Sequence, residues 1–400
     1  MTTTPDTPTT LFRHLRPLGG EPRDLTVVNG VIAAAPPDLG EVVQVVECGG
    51  RLALPTLVDA HIHPDKTTWG EPWISRSPAN GLADYVHQDV EWYRRHTTPL
   101  GERAHRLMAH AAAQGTRAMR AHVDVAPAYG LTGVEGVGEA RRALAHALDV
   151  QLVGFPQHGV RRTPGTDRLL EEAARTGAID VVGGIDPAGF DGDLTGQLDT
   201  VFGIAERHRL GVDIHLHDRD ENGTTALREI IARTRALDMG GQVTISHAFC
   251  VPGLHAVEFG RTAVELAEAG IALTTVAPDV NRVLPLARLR RHGVVVGIGS
   301  DGVRDAWSPY GNGDMLYRAH LLGLCLRARL DEQLTECYLT AAHDGAALLG
   351  LPRADLTPGS PADFLLVDGE CLPQVVVDLP RRDMVVRAGR VVARDGRLVA

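Results

Sequence analysis

Lysine is almost absent from this chain of 400 residues: of 40 cationic side chains only Lys66 is a lysine, and the rest are arginines. Acidic residues outnumber basic ones 50 to 40, for a net charge of −10. No basic run of the kind that tracks phosphates is present, which argues against nucleic acid as a partner. No apolar stretch approaches the ~20 residues of a membrane-spanning helix. The five cysteines (Cys48, Cys250, Cys325, Cys337 and Cys371) are scattered, odd in number and without CxxC spacing. That excludes a disulfide frame or a zinc knuckle and points to reduced, intracellular thiols. The opening MTTTPDTPTT lacks the basic head and apolar stretch of a secretory leader. The first ten or so residues are expected to be a disordered lead-in, and the chain to be cytoplasmic. What remains is an ordinary globular composition, 44% hydrophobic and 22% charged, with ample material for a core.

Both ends of the chain read as β-structure. Residues 24–33 alternate around Asn29-Gly30, residues 41–48 form a further strand, and residues 362–367 another. Residues 384–399 carry turns at Ala388-Gly389 and Asp395-Gly396. The economical reading is a small β-sandwich assembled from residues 1–56 and 350–400.

Between them, from 57 to 349, strands and helices alternate. Candidate strands are 57–63, 117–123, 150–155, 180–185, 211–217, 242–247, 271–276 and 293–299. Candidate helices are 101–114, 136–148, 167–177, 194–209, 224–239, 254–269 and 281–291. Alternation of this kind makes parallel βαβ units. Eight such strands suggest a closed (β/α)8 barrel, an α/β fold of the TIM type with its active groups at the C-terminal ends of the strands. An open doubly wound sheet is the alternative, but no GxGxxG follows the first central strand.

Those strand ends carry histidine and aspartate. The first ends in His61 and His63, whose period-2 spacing points both imidazoles to one face of a strand. The second ends in His122 and Asp124, the fourth near Asp186, the fifth in His215-Leu216-His217-Asp218, the sixth in Ser246-His247 and the eighth in Ser300-Asp301. An HxH on one strand, a His on the fifth and an Asp on the eighth form a set that core packing does not predict. Imidazole and carboxylate are ligands that zinc and ferrous iron accept. The lone lysine stands three residues past the His pair, where a compact ammonium can do what a guanidinium cannot. Trp69, Trp73 and Trp307 are candidates to shape a pocket, with ordinary packing as the alternative.

The segments PTLVDAHIHPDKT (55–67), AHVDV (121–125), GFPQHG (154–159), DIHLHD (213–218), TISHAF (244–249) and GIGSDGVRDAWSPYGNGDML (297–316) resemble those of the amidohydrolase superfamily. The nearest likeness is to its cytosine deaminase and N-isopropylammelide isopropylaminohydrolase branch. The resemblance spans almost the full chain. It implies His61, His63, His215 and Asp301 as ligands of one divalent metal, Zn2+ or Fe2+. It implies His247 beside the water at that metal, and Gln157 as a substrate contact. Lys66 and His217 match a polar pair of the isopropylammelide-type enzymes. Asp218 stands where cytosine deaminase has its proton-shuttling glutamate. Gly302 replaces a second aspartate that helps to hold the pyrimidine there, which turns the expectation away from cytosine. A second metal bridged by a carboxylated lysine is excluded, because Lys66 lies on the wrong strand.

The function expected is therefore hydrolysis of a C–N bond on an amino- or alkylamino-substituted nitrogen heterocycle, by metal-activated water. Asp301 would accept the water's proton, His217 or Lys66 would supply one to the leaving nitrogen, and Gln157, Asp218 and Trp307 would hold the ring. A cyclic amide hydrolase using the same metal, or a non-catalytic binding barrel, are the alternatives. A small heterocycle is the expected partner, without nucleic acid or membrane, and a homo-oligomer stays open.

Overall fold

The computed structural model describes residues 9–34 and 44–399. The lead-in expected to be disordered, up to residue 8, and the start of the strand expected at 41–48 lie outside the described residues.

The central strands are β1 (Leu57–Ile62), β2 (Thr116–Asp124), β3 (Asp149–Phe155), β4 (Val181–Ile185), β5 (Gly211–His215), β6 (Val243–Ser246), β7 (Ala272–Thr275) and β8 (Val296–Ile298). They pair in chain order, each parallel to the next, in one eight-stranded sheet. Just past β8 the sheet returns to β1. The Asp301 N–H donates to the His61 carbonyl at 2.8 Å, and the His63 N–H donates to the Asp301 carbonyl at 3.4 Å. The barrel expected from the sequence is thus the fold.

Closure requires glycine. A Cβ on Gly299 would lie 2.4 Å from the His61 carbonyl oxygen, and one on Gly297 would lie 2.8 Å from the Ala60 Cβ. Without side chains at these positions, β8 passes close against β1. Outside the strands lie helices Leu100–Ala113, Thr132–Ala143, Thr166–Arg175, Leu194–His208, Glu221–Ala236, Ala256–Glu268 and Leu286–Arg291, all at or near their expected positions. Two of them start on an aspartate whose carboxylate accepts a backbone N–H of the first turn, Asp193 from Gly196 and Asp220 from Asn222.

Several helices were not read from the sequence, among them Met315–Leu326, Asp331–Leu339 and one that stands at the barrel mouth. Leu82–Arg95 stands inside the long connection after β1, which reads as loop. Its buried face is Val86, Gln88, Asp89 and Trp92, half of it polar, so the apolar periodicity that signals a helix is weak. Helices Met315–Leu326 and Asp331–Leu339 follow the barrel.

The terminal strands join in a separate, mostly antiparallel sheet. Strand Thr10–Pro17 runs beside Gln44–Glu47 at its start and beside Leu52–Pro55 at its end. Between the two, His14 adopts φ 54° and breaks the register. Around this bend Phe12, Leu15, Val27, Phe364 and Val386 form a core of their own. The turns at Asn29-Gly30, Ala388-Gly389 and Asp395-Gly396 all have two successive positive φ values, the signature of tight type I′ hairpins. The sheet is tied to the barrel by the buried Arg117–Asp363 pair at 2.9 Å and by the Tyr338 hydroxyl donating to the Pro55 carbonyl at 2.6 Å. Among the described residues no helix is long and apolar enough to cross a membrane, and the five cysteines are free.

Gly299→Ala should force β8 off β1. Overpacking of this kind costs about 1–3 kcal/mol, so the urea midpoint should fall and bound metal should fall with it. An unchanged midpoint would show that the seam does not need the glycine.

Candidate metal centre and active site

Four side chains converge at the C-terminal mouth of the barrel. His61 lies on β1 and His63 just past its end, His215 ends β5 and Asp301 follows β8. The Nε2 atoms of His63 and His215 are 3.4 Å apart. Asp301 Oδ1 lies 3.4 Å from His63 Nε2 and 3.6 Å from His61 Nε2. Metal–ligand bonds of ~2.0–2.1 Å at tetrahedral angles put donor atoms roughly 3.3 Å apart. The spacing therefore fits a single ion of zinc size. His61 Nε2 is buried and has no hydrogen-bond partner among the described residues. An orphaned buried nitrogen is costly, and a cation held among these donors would satisfy it.

Electrostatics favour ligation. Burial, followed by neighbouring imidazole and lysine charge, holds His63 and His215 well below the ordinary histidine value, so both are neutral with lone pairs available. Asp301 is held well below the carboxylate range: burial opposes this, but the close approach of His61 and the charge of His247 outweigh it. The backbone at the mouth is strained to aim these groups. Asp186, His247 and Asp301, at the ends of three strands, have φ of 31°, 67° and 59°. Non-glycine residues rarely take such values unless the surroundings impose them.

Beneath the ligands a polar layer sets their orientation. Ser246 Oγ lies 2.9 Å from His61 Nδ1 and donates to Asp213 Oδ1 at 2.6 Å. His61 Nδ1 therefore donates to Ser246, which leaves the Nε2 lone pair free for a metal ion. Arg120 completes the layer, donating to Asp213 Oδ2 at 3.0 Å and to Thr244 Oγ1 at 2.7 Å. His122 is fully buried, with its ring centroid 4.0 Å from that of His61, and burial pushes its pKa well down. It lies near Asp213 rather than Asp301, so it belongs to the floor of the site.

Above these four side chains is a small pocket lined by Lys66, Phe155, Gln157, His217, His247, Asp305 and Trp307 together with His63, His215 and Asp301. Asp186 fixes His217: its Oδ2 is 2.7 Å from Nδ1 and its Oδ1 accepts the His217 N–H at 2.5 Å. The pKa of His217 is raised, burial being outweighed by the Asp186 charge and bond. His247 groups with His61 and His215 within 4.8 Å. Lys66 donates to Gln157 Oε1 and pairs with Asp124 at 3.0 Å, while Gln157 Nε2 donates to Asp89 Oδ2 at 2.7 Å. Burial would lower the pKa of Lys66, yet the charges of Asp124, Asp89 and Asp65 raise it, so its ammonium is permanent.

The structure thus gathers His61, His63, His215, Asp301, His247, His217, Lys66, Gln157 and Trp307 around one pocket. Asp218 is apart from them. Its carboxylate accepts the Gly189 N–H at 3.0 Å, and it is not among the residues lining the pocket. Sequence reasoning assigned no role to Ser246, Asp213, Asp186, Asp89 or Asp305. Three of these stand on barrel strands or at their ends, where a search for partners of each histidine could have found them. Asp89 hides in the unrecognised helix Leu82–Arg95.

The chain matches the amidohydrolase family over residues 75–399. It is 29% identical over 373 residues to an N-isopropylammelide isopropyl amidohydrolase of Pseudomonas sp. (strain ADP), covering 90% of this chain and 91% of that one. Its structure is similar to that of N-isopropylammelide isopropylaminohydrolase from Burkholderia multivorans ATCC 17616, with a TM-score of 0.92, 38% identity and coverage of 98% of this chain and 100% of that one. It is also similar to 5-methylcytosine deaminase from Klebsiella pneumoniae bound to phosphonocytosine, with a TM-score of 0.80, 25% identity and coverage of 98% and 99%.

Ser246→Ala should lower metal affinity about 10–100-fold, the usual effect of removing a ligand's hydrogen-bond partner. Competition against a chromogenic chelator measures it. An unchanged affinity would mean that the serine does not orient His61.

Proposed function

The chain belongs to the amidohydrolase family, and from that premise we propose that it replaces an amino or alkylamino substituent on a nitrogen heterocycle by oxygen. The reading rests on one observation: His61, His63, His215 and Asp301 converge at ligand spacing on the floor of a small polar pocket. These four would hold one divalent ion, zinc or ferrous iron, which supplies activated water at neutral pH. The absence of any lysine besides Lys66 favours one ion over a carbamate-bridged pair.

The chain's own groups complete the chemistry. Asp301 turns Oδ1 to the His61 and His63 nitrogens, which leaves Oδ2 to take a proton from the attacking water. Water adds to the ring carbon bearing the amino group, and the C–N bond to that substituent then breaks. The departing nitrogen needs a proton. His217 is placed to give it, because Asp186 holds Nδ1 and leaves Nε2 for the pocket. Lys66 is a poor donor, since three carboxylates surround it and retain its proton. Its work is to polarise and orient Gln157, whose remaining N–H and oxygen lone pair suit the amide-like edge of a ring. His247 supplies a further ring beside the ligands, and Trp307 a flat wall. Asp218, engaged by Gly189, drops out of the ring contacts.

The relatives point to the substrate class. The N-isopropylammelide enzymes are named for an alkylamino-triazine and the deaminase for 5-methylcytosine. Metal-loaded protein should release amine or ammonia from at least one of N-isopropylammelide, related aminotriazines and aminopyrimidines. Ring opening without release of amine would mark a cyclic amide hydrolase instead.

His217→Gln should lower kcat about 10²- to 10⁴-fold, the usual worth of general acid catalysis, with metal content intact. Wild-type kcat in that variant would remove His217 from the mechanism. Lys66→Arg should raise KM despite keeping the charge, because a guanidinium does not fit between Asp124 and Gln157. Unchanged steady-state kinetics would show that any cation suffices there.

A further inference from the structure

Asp305 is a carboxylate in the substrate pocket that neither ligates nor serves the proton transfers above. It is buried, and it lines the pocket beside Lys66 and Trp307. Its two oxygens have different surroundings. Oδ1 accepts the backbone N–H groups of Trp307 at 3.0 Å and Ser308 at 2.7 Å, which folds the loop carrying the tryptophan. Oδ2 accepts no hydrogen bond from any described residue. It lies instead over Gly302, where a Cβ on that glycine would approach to 1.7 Å. Gly302 does not have a left-handed φ, so backbone conformation does not demand glycine here. What the missing side chain provides is room for the Asp305 carboxylate.

With no donor from the described residues, Oδ2 is free to accept a hydrogen bond from a molecule in the pocket. Burial, with the nearby Asp301 charge, raises the pKa of Asp305 to about 6, even though the Ser308 and Trp307 bonds lower it. A substrate N–H is a donor of the kind that this oxygen accepts. We propose that Asp305 Oδ2, given space by Gly302, accepts a hydrogen bond from a ring N–H of the substrate and selects heterocycles carrying a lactam N–H at that edge. The inference rests on the heterocycle reading above and names the edge that the pocket recognises. The carboxylate on one side and the Lys66–Gln157 pair on another would grip a ring that offers both donors and acceptors, as oxo-triazines and oxo-pyrimidines do.

Two substitutions test it from different directions. Asp305→Asn keeps one oxygen for the Trp307 and Ser308 N–H groups and replaces Oδ2 by an NH2 donor. Gly302→Ala leaves Asp305 in the chain and displaces its carboxylate, the movable end of a side chain. Both should retain metal content and thermal midpoint. Both should raise KM at least about tenfold for the substrate found active in the amine-release screen, with kcat changed much less, as expected for loss of a charged hydrogen bond. Wild type should disfavour an analogue methylated at that ring nitrogen, and both variants should lose this discrimination. Calorimetric binding of cyanuric acid, whose ring carries N–H groups on every nitrogen, provides a readout that needs no turnover. Binding to metal-loaded wild type and tenfold weaker binding to both variants support the proposal. If wild type releases no amine from any compound yet shows this binding pattern, the catalytic reading falls and the recognition reading holds. Wild-type affinity in Asp305→Asn, or retained discrimination in Gly302→Ala, overturns the proposal.

Discussion

The hydrogen bond from the Asp301 N–H to the His61 carbonyl closes the barrel and joins two of the four proposed ligands. The seam between β8 and β1 and the proposed metal centre are therefore one piece of structure. His61 cannot shift without opening the seam, and Asp301 cannot leave its left-handed conformation without losing the bond that closes it. Gly297 and Gly299 bring the strands close enough for this. The buried Asp59 carboxylate accepts the N–H groups of His61 at 3.2 Å and Ser300 at 3.0 Å, locking both sides of the seam from below.

Around that seam the interior holds more polar groups than a core alone would need. Arg120, Asp213, Ser246 and Thr244 are each buried, and each is bonded to another of the four. Lys66, Asp124, Asp89 and Gln157 repeat the pattern at the wall of the pocket. Buried charges are tolerated only when paired in this way, and removing one partner strands the other. The return on that cost is geometric. His61 has one usable nitrogen, Gln157 has one amide orientation, and His217 has one face turned to the pocket. Swapping the ends of the Gln157 amide would set N–H against the ammonium and oxygen against the Asp89 carboxylate.

Much of this was legible in residue order. Period-2 spacing places His61 and His63, the alternation of short strand-like segments with helical ones marks the barrel, and Gly-containing dipeptides mark the hairpins at 29–30, 388–389 and 395–396. The proposed ligands stood out because imidazole and carboxylate are unusual at successive strand ends. What stayed hidden depends on contacts between distant segments. Asp89 meets Gln157 across 68 positions, and its helix presents a polar buried face that periodicity cannot detect. Ser246 is an unremarkable strand residue until His61 lies 2.9 Å away. Gly302 reads as the loss of a carboxylate, whereas in three dimensions the carboxylate of Asp305 fills that space. Asp218 shows the converse, since its neighbour His217 faces the pocket while its own carboxylate is bonded to Gly189.

The central claim is that His61, His63, His215 and Asp301 form one mononuclear centre. Metal stoichiometry by mass spectrometry, joined to X-ray absorption at the metal edge, tests it most directly. The account predicts one equivalent of zinc or iron per chain, bound by nitrogen and oxygen donors at ~2.0–2.2 Å, without sulfur and without a second metal scatterer. Two equivalents with a metal–metal scattering path, or protein that is fully active with no bound metal, would contradict it.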